Sequence, residues 1–164
     1  MKKLLPLAFF FFMCLSGCDK ISYSKPETIF SEYVDISSEG LLPGFEYVFD
    51  SFDSISKTTK EFSCTLLLSL RYSDYCDKKI IPFNIEYSSP ESDSIITLKM
   101  NFPLFTDDDR NMGKGNFGIY EKSVPIIDNV EFSEGFYVAV SSPDKISKGL
   151  LSIGIVANKG KDYK

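Results

Sequence analysis

The first fact about the reactive side chains of this chain is an absence: its 164 residues contain no histidine. Without imidazole, Ser-His-Asp and Cys-His activation of a nucleophile and the usual nitrogen ligands of zinc are excluded. Carboxylates are plentiful, 23 in all, and a suitably placed pair could hydrolyse a glycosidic bond. No spacing singles out such a pair, so a noncatalytic protein is expected. Gly113-Lys114-Gly115-Asn116-Phe117-Gly118 matches a dinucleotide-binding fingerprint letter for letter. That fingerprint works only between a strand and a helix whose N-terminus receives the pyrophosphate. Ile119-Tyr120 begins another strand-like run instead, so the glycines are expected to form a tight positive-φ connection and no cofactor is expected. Asp107, Asp109 and Asn111 alternate as in the first half of a calcium loop. Met112 stands where the turn glycine belongs and Gly118 where the bidentate glutamate belongs, so these three are a calcium candidate and a solvated acidic loop is the default.

The remaining chemistry is that of thiols. Lys2 and Lys3, the apolar run Leu4 to Leu15, and Leu15-Ser16-Gly17-Cys18 have the order of a bacterial lipoprotein leader. The apolar run is shorter than the roughly 20 residues a spanning helix needs. Residues 1–17 are therefore expected to be a signal peptide, with Cys18 the lipidated residue. Two or three acyl chains at about 0.8 kcal/mol per buried methylene anchor a protein stably, so the membrane is the first expected partner. Cys14 falls inside the discarded leader. Cys64 and Cys76 remain, and if Phe62 to Arg71 is one strand, that strand alone separates them by about 20 Å. A disulfide needs Cα atoms within about 7 Å. Two free cysteines are expected, with Cys64 a small core residue.

The processed chain of 147 residues suffices for one domain. Loss of Lys2 and Lys3 leaves 16 basic residues against 23 acidic ones, a net charge of −7. That balance argues against nucleic acid, whose phosphates demand a basic face. It also leaves the lipid, not a polybasic patch, to hold the membrane. Residues Asp19 to Glu32 show no sustained period, and 18–44 is expected to be the lipidated cysteine and a tether. From about Phe45 onward the apolar residues alternate. Phe62, Cys64, Leu66, Leu68 and Leu70 share one stripe; Ile81, Phe83, Ile85 and Tyr87 a second; Ile96, Leu98, Met100 and Phe102 a third. Phe136, Val138 and Val140 form a fourth, and Leu151, Ile153 and Ile155 a fifth. Turn-rich stretches separate them at 72–79, 88–93, 107–113 and 141–149. The pattern predicts an all-β domain over 45–164, an antiparallel, jelly-roll-like β-sandwich of about 7–9 strands.

Aromatic residues could make a contact surface. There are 15 Phe and 9 Tyr but no Trp, and Tyr72 and Tyr75, read as loop residues, could stack on a sugar. Arg71 ends its stripe beside a turn. It reads either as an exposed contact or as an arginine whose stem covers the core edge and whose head meets an acidic loop. Arg71, Tyr75 and Tyr120 are the candidate partner contacts.

The carboxy-terminal half also carries an ordered series of short segments. These are Leu68-Ser69-Leu70-Arg71 with Tyr75 after it, Phe102-Pro103-Leu104, an acidic loop, and Gly113 to Tyr120. Val130-Glu131-Phe132, Gly135-Phe136-Tyr137 and Gly149 to Ile155 follow. In order and spacing, over about residues 45 to 157, the chain resembles the gliding-motility lipoprotein H family of Bacteroidetes. It departs from that family at 141–148, which lacks a methionine-arginine helix-like element, and between Tyr75 and Asn84, which is enlarged. The resemblance implies a noncatalytic component of the envelope machinery for gliding and its associated secretion system, acting through protein contacts. The alternative is a surface lipoprotein whose sandwich binds glycan. Asp19-Lys20-Ile21-Ser22-Tyr23 has one acid before the lysine and none after it, an incomplete surface-export signal. A periplasm-facing domain on the outer membrane is expected, with the inner membrane as the alternative.

Cys18→Ala should abolish acylation and leave an unprocessed precursor. Metabolic labelling with a palmitate analogue checks this, and label retained by the variant would overturn the assignment.

Overall fold

The computed structural model describes residues 26–56, 63–89, 92–132 and 134–160. Cys18, the leader and Phe62 lie outside them. The described residues form β1 (Thr28–Asp35), β2 (Tyr47–Phe49), one short helix α1 (Asp53–Ser56), β3 (Cys64–Ser73), β4 (Ile80–Ser89), β5 (Ser92–Pro103), β6 (Lys114–Asn116), β7 (Ile119–Val130), β8 (Val138–Ser141) and β9 (Leu150–Lys159). None of the described helices is long and apolar enough to cross a membrane.

The strands make two antiparallel sheets, β1-β9-β3-β7-β6 and β2-β8-β4-β5. With β6 counted as a short extension of the β7 hairpin, the chain passes from one sheet to the other at every connection except β4 to β5. This is the connectivity of a jelly roll, so the expected all-β sandwich is the fold. The two inner faces supply one core. Cys64, Leu66, Leu68, Leu70 and Tyr72 of β3 are fully buried, as are Ile81, Phe83 and Ile85 of β4 within one per cent. On β5, Phe102 is buried while Leu98 and Met100 stay half-exposed against the core. The stripes meet the core in the phase that alternation implied, except at Leu151, which is exposed: the register of β3 against β9 shifts between Arg71 and Tyr72, and Leu150 is buried in its place.

One end of the core is aromatic. Phe52 and Phe132 stack at 5.1 Å and 7°, and Phe136 meets both edge-on. Phe30 of β1 reaches Phe52 at 4.8 Å. At the other end the buried Tyr72 hydroxyl donates to Asn111 Oδ1 at 2.7 Å, with the Leu104 carbonyl 3.0 Å away. That bond ties the end of β3 to the loop after β5.

Two expectations need correction. The tether is shorter than 18–44, because Thr28–Asp35 is an edge strand paired to β9. As an edge strand with a register shift between Thr28 and Phe30 and no fully buried residue, it carries little alternation to read. The turn expected at 72–79 also begins later. β3 continues through Arg71 and Tyr72 to Ser73 and pairs there with β7.

Outside the core, the five-stranded sheet carries a polar layer on its outer face. Tyr33 lies flat across β9 over Gly154, where an added Cβ would meet its ring carbons at 2.4 to 2.8 Å. Gly154→Ala should lift Tyr33 from the sheet and cost about 1–3 kcal/mol by overpacking. Urea denaturation checks this, and the same change in a Tyr33→Ala background should cost much less.

Candidate functional site

The three candidate contact residues lie at one end of the sandwich but face different ways. Arg71 and Glu121 are paired across β3 and β7, and Tyr72 and Tyr120 are the next pair along. Alternation sends the first pair to the outer face and the second toward the core. Arg71 Nε donates to Glu121 Oε2 at 2.8 Å, and its guanidinium sits 4.3 Å from the centre of the Tyr33 ring. The Tyr33 hydroxyl donates to Glu121 Oε1 at 3.0 Å and lies 3.1 Å from Ser69 Oγ, which Ser123 meets at 3.0 Å. Beneath them Ser69 and Ser152 are buried. The arginine head thus meets a strand carboxylate, not an acidic loop, because β3 has not ended at Arg71. The hydrogen bond to Glu121 holds the guanidinium all the more firmly protonated. Burial raises the Tyr33 hydroxyl, with Glu121 adding to it. About half of each ion-pair side chain is in solvent, so the pair contributes less than about 1 kcal/mol. This cluster links side chains of β1, β3 and β7 across β9.

Tyr72 is no sugar platform, since it is fully buried. Tyr120 is half-buried, 6.1 Å from the Tyr72 ring. Loss of solvent raises its hydroxyl, and the neighbouring Asp74 carboxylate, to which it hydrogen-bonds, raises it further. Tyr75, 83 % exposed in the turn after β3, does stand free.

The glycine segment makes a two-residue hairpin. Asn116 pairs with Ile119, and Phe117 (φ 53°) and Gly118 (φ 75°) both take positive φ, the backbone of a type I′ turn. A strand, β7, follows where the dinucleotide fingerprint needs a helix. Sequence reasoning placed the turn but missed its first residue. Phe117 is 97 % exposed, although an aromatic side chain is among the least suited to that backbone region. The signal was present in Asn116-Phe117-Gly118, where turn chemistry expects Asn or Asp next to Gly. The hairpin leans on the turn after β3, with the Asp74 amide donating to the Gly118 carbonyl at 3.2 Å. Tyr75, Phe117 and the exposed Ile119 therefore crowd one pole of the sandwich.

The calcium candidates do not converge. Asp109 is paired with Lys79 at 2.6 Å. Asn111 turns inward, and its Oδ1 accepts from Tyr72 and from the Gly113 amide. Asp107 is exposed, and the described residues hold no group of three acidic or cysteine side chains placed to bind a metal.

A second surface was missed because it falls partly in the expected tether. Between the edges of β1 and β2 a cleft of about 440 Å³ is lined by Val34, Leu42, Phe45, Tyr47 and Val48, with Asp35 and Glu46 also in its wall. Phe45 and Tyr47 meet edge-on at 5.0 Å and 66°. A hollow of about 360 Å³ on the other sheet is lined by Asn84, Lys99 and Asn101 between Pro82 and Pro143.

Cys64 and Cys76 are free thiols at opposite ends of β3. No family model matches the chain, and no curated protein matches it either.

Burial pushes the Cys64 thiol up to about 11 from an ordinary value of 9.0. The unfolded thiol therefore ionises first, so this contribution is level below about pH 9 and falls by about 2 kcal/mol toward pH 11. Tyr33, Tyr47 and Tyr72, all raised by burial, add in the same direction. Urea midpoints from pH 8 to 11 should fall less steeply for Cys64→Ala than for the parent, and equal slopes would contradict the assignment.

Proposed function

We propose that this chain is a noncatalytic envelope lipoprotein, held by Cys18, whose β-sandwich acts through contacts with protein partners of the gliding and secretion machinery it resembles. The observation that carries this reading is the pole formed by Tyr75, Phe117 and Ile119. An exposed phenylalanine in a left-handed turn costs about 1 kcal/mol or more in the free protein. A surface that holds an aromatic ring out in solvent at that cost gains only when something covers the ring.

The pole also faces a consistent way. β1 starts at Thr28 beside Asn158, and β3 starts at Cys64 beside Lys159. The ten residues of β3 put Tyr75 and Phe117 about 30 Å from that end. A lipid at Cys18 enters the domain through Thr28, so the aromatic pole lies at the far end from the tether. Against the glycan alternative, the rings of the β1–β2 cleft are not coplanar, and the hollow with amides is walled by prolines and the buried Phe83, with no exposed ring.

A photo-crosslinking residue at Phe117 or Tyr75 should capture a discrete protein from native membranes, while one at Asp128, toward the opposite pole, should not. Phe117→Asn should raise stability by about 0.5–1 kcal/mol, because asparagine tolerates the left-handed turn, and should abolish the capture. Capture failing at both sites, with soluble polysaccharide raising the melting temperature, would replace this reading with the glycan one.

A further inference from the structure

The open side of the sandwich between β1 and β2 has a feature that neither the aromatic pole nor the core explains. Glu32 lies on the core-facing side of β1, opposite Ile155, between Phe30 and Val34. Its neighbours on that face belong to or pack against the core. Glu32 Oε2 is buried with no hydrogen-bond partner among the described residues. A carboxylate oxygen withdrawn from water and left unpaired is costly, and the cost is recovered only by a donor or a cation.

The backbone beside it is also open. The Ile36 amide donates to Leu151, and in an antiparallel ladder alternate residues face the partner strand. Ile36, Val34 and Glu32 therefore bond toward β9. The amides and carbonyls of Ser31, Tyr33 and Asp35 point away from the sheet, where β1 has no neighbour among the described strands. Directly across the opening lies the cleft of Val34, Leu42, Phe45, Tyr47 and Val48 with the carboxylates of Asp35 and Glu46, and no cation lines it.

We propose that β1 accepts an extended segment of a partner protein as an added edge strand, one bearing a lysine or arginine between two apolar residues on its inward face. The cation meets Glu32, with Glu46 and Asp35 adding to the negative field. The apolar side chains flank it, over Phe30 on one side and Val34 and Tyr47 on the other. Main-chain hydrogen bonds come from Ser31, Tyr33 and Asp35, and the pockets supply the selection. A second copy of this chain is a poor occupant, because an antiparallel β1–β1 pairing centred near Glu32 brings two inward carboxylates together. Among the described residues the opposite side of the sandwich offers no such opening. There Lys122 donates to the Pro103 carbonyl at 2.5 Å and lies over the Phe102 ring, and Pro125 withdraws a donor from β7.

The test uses the full chain, isotope-labelled, and two synthetic seven-residue peptides with blocked ends. One alternates threonine with valine, lysine and valine in turn; the other carries glutamate in place of the lysine. The first should shift the Ser31, Tyr33 and Asp35 amide resonances and slow their hydrogen exchange. The second should bind at least tenfold more weakly, and Glu32→Gln should erase the difference while the melting temperature stays within a few degrees. Ser31→Pro, which removes one outward amide, should weaken the lysine peptide at least threefold. Equal binding of the two peptides, no binding at millimolar concentration, or shifts confined to other residues would overturn the proposal. Concentration-dependent shifts of the same amides without peptide would overturn it in favour of a second copy. None of these results depends on Cys18 or on crosslinking at Phe117, so this site and the aromatic pole stand or fall separately.

Discussion

Between β7 and β9, β3 presents Cys64, Leu66, Leu68, Leu70 and Tyr72 to the core with no exposed surface. A slip of one residue against either neighbour would turn all five outward, so the apolar stripe sets a single register. That register does more than fill the core. It puts Arg71 opposite Glu121, Ser69 opposite both Ser123 and Gly154, and Tyr72 opposite Tyr120. Because Gly154 has no side chain, Tyr33 can lie down across β9 and reach Ser69 and Glu121. The outer polar layer is thus a consequence of the inner apolar one. It adds directionality, because its hydrogen bonds are satisfied only in the register that the core already favours.

The same strand places the aromatic pole. Ser73 bonds to the Gly149 carbonyl, and the turn that follows is pinned to the β6–β7 hairpin through Asp74 and Gly118. Tyr72 anchors the end of β3 from within through Asn111. Tyr75 and Phe117 are therefore carried by tight turns fixed to the centre of the larger sheet, not by a long loop. A contact surface built this way loses little conformational entropy when covered, which is the general advantage of preorganisation.

Much of this was legible in the sequence, for identifiable reasons. Central strands buried on one face must alternate, so β3, β4 and β5 declared themselves, and Cys64 could be placed in the core from its phase alone. β1 did not, because an edge strand with a register shift and a charged residue on its inner side breaks the pattern that alternation relies on. The end of β3 was misjudged because Arg71 looks like a stop signal, whereas Glu121 on the neighbouring strand satisfies it in place. The hairpin at Phe117-Gly118 was read correctly as a turn from its glycines. The exposure of Phe117 was not, since exposure depends on what the rest of the chain leaves uncovered. The cleft at Leu42 and Phe45 escaped for the same reason, although apolar residues amid Gly40, Pro43 and Gly44 were a hint of a structured loop.

Every sandwich has sheet edges that must not pair at random, and this one guards its two sides by different means. On the side of β5 and β7 the guards are covalent or filled: Pro125 lacks a donor, and Lys122 occupies the gap with its ammonium on a carbonyl, its pKa lowered by burial. On the side of β1 and β2 the guard is a carboxylate turned inward at Glu32. A negative charge of this kind repels acidic strands and a second copy of itself, and it disfavours apolar strands, which would desolvate it without pairing it, but it becomes an attraction when the arriving strand carries a cation at the matching position. An edge closed by charge is therefore a selective edge. The acidic balance of the whole chain works in the same direction, because it discourages self-association while leaving basic partners favoured.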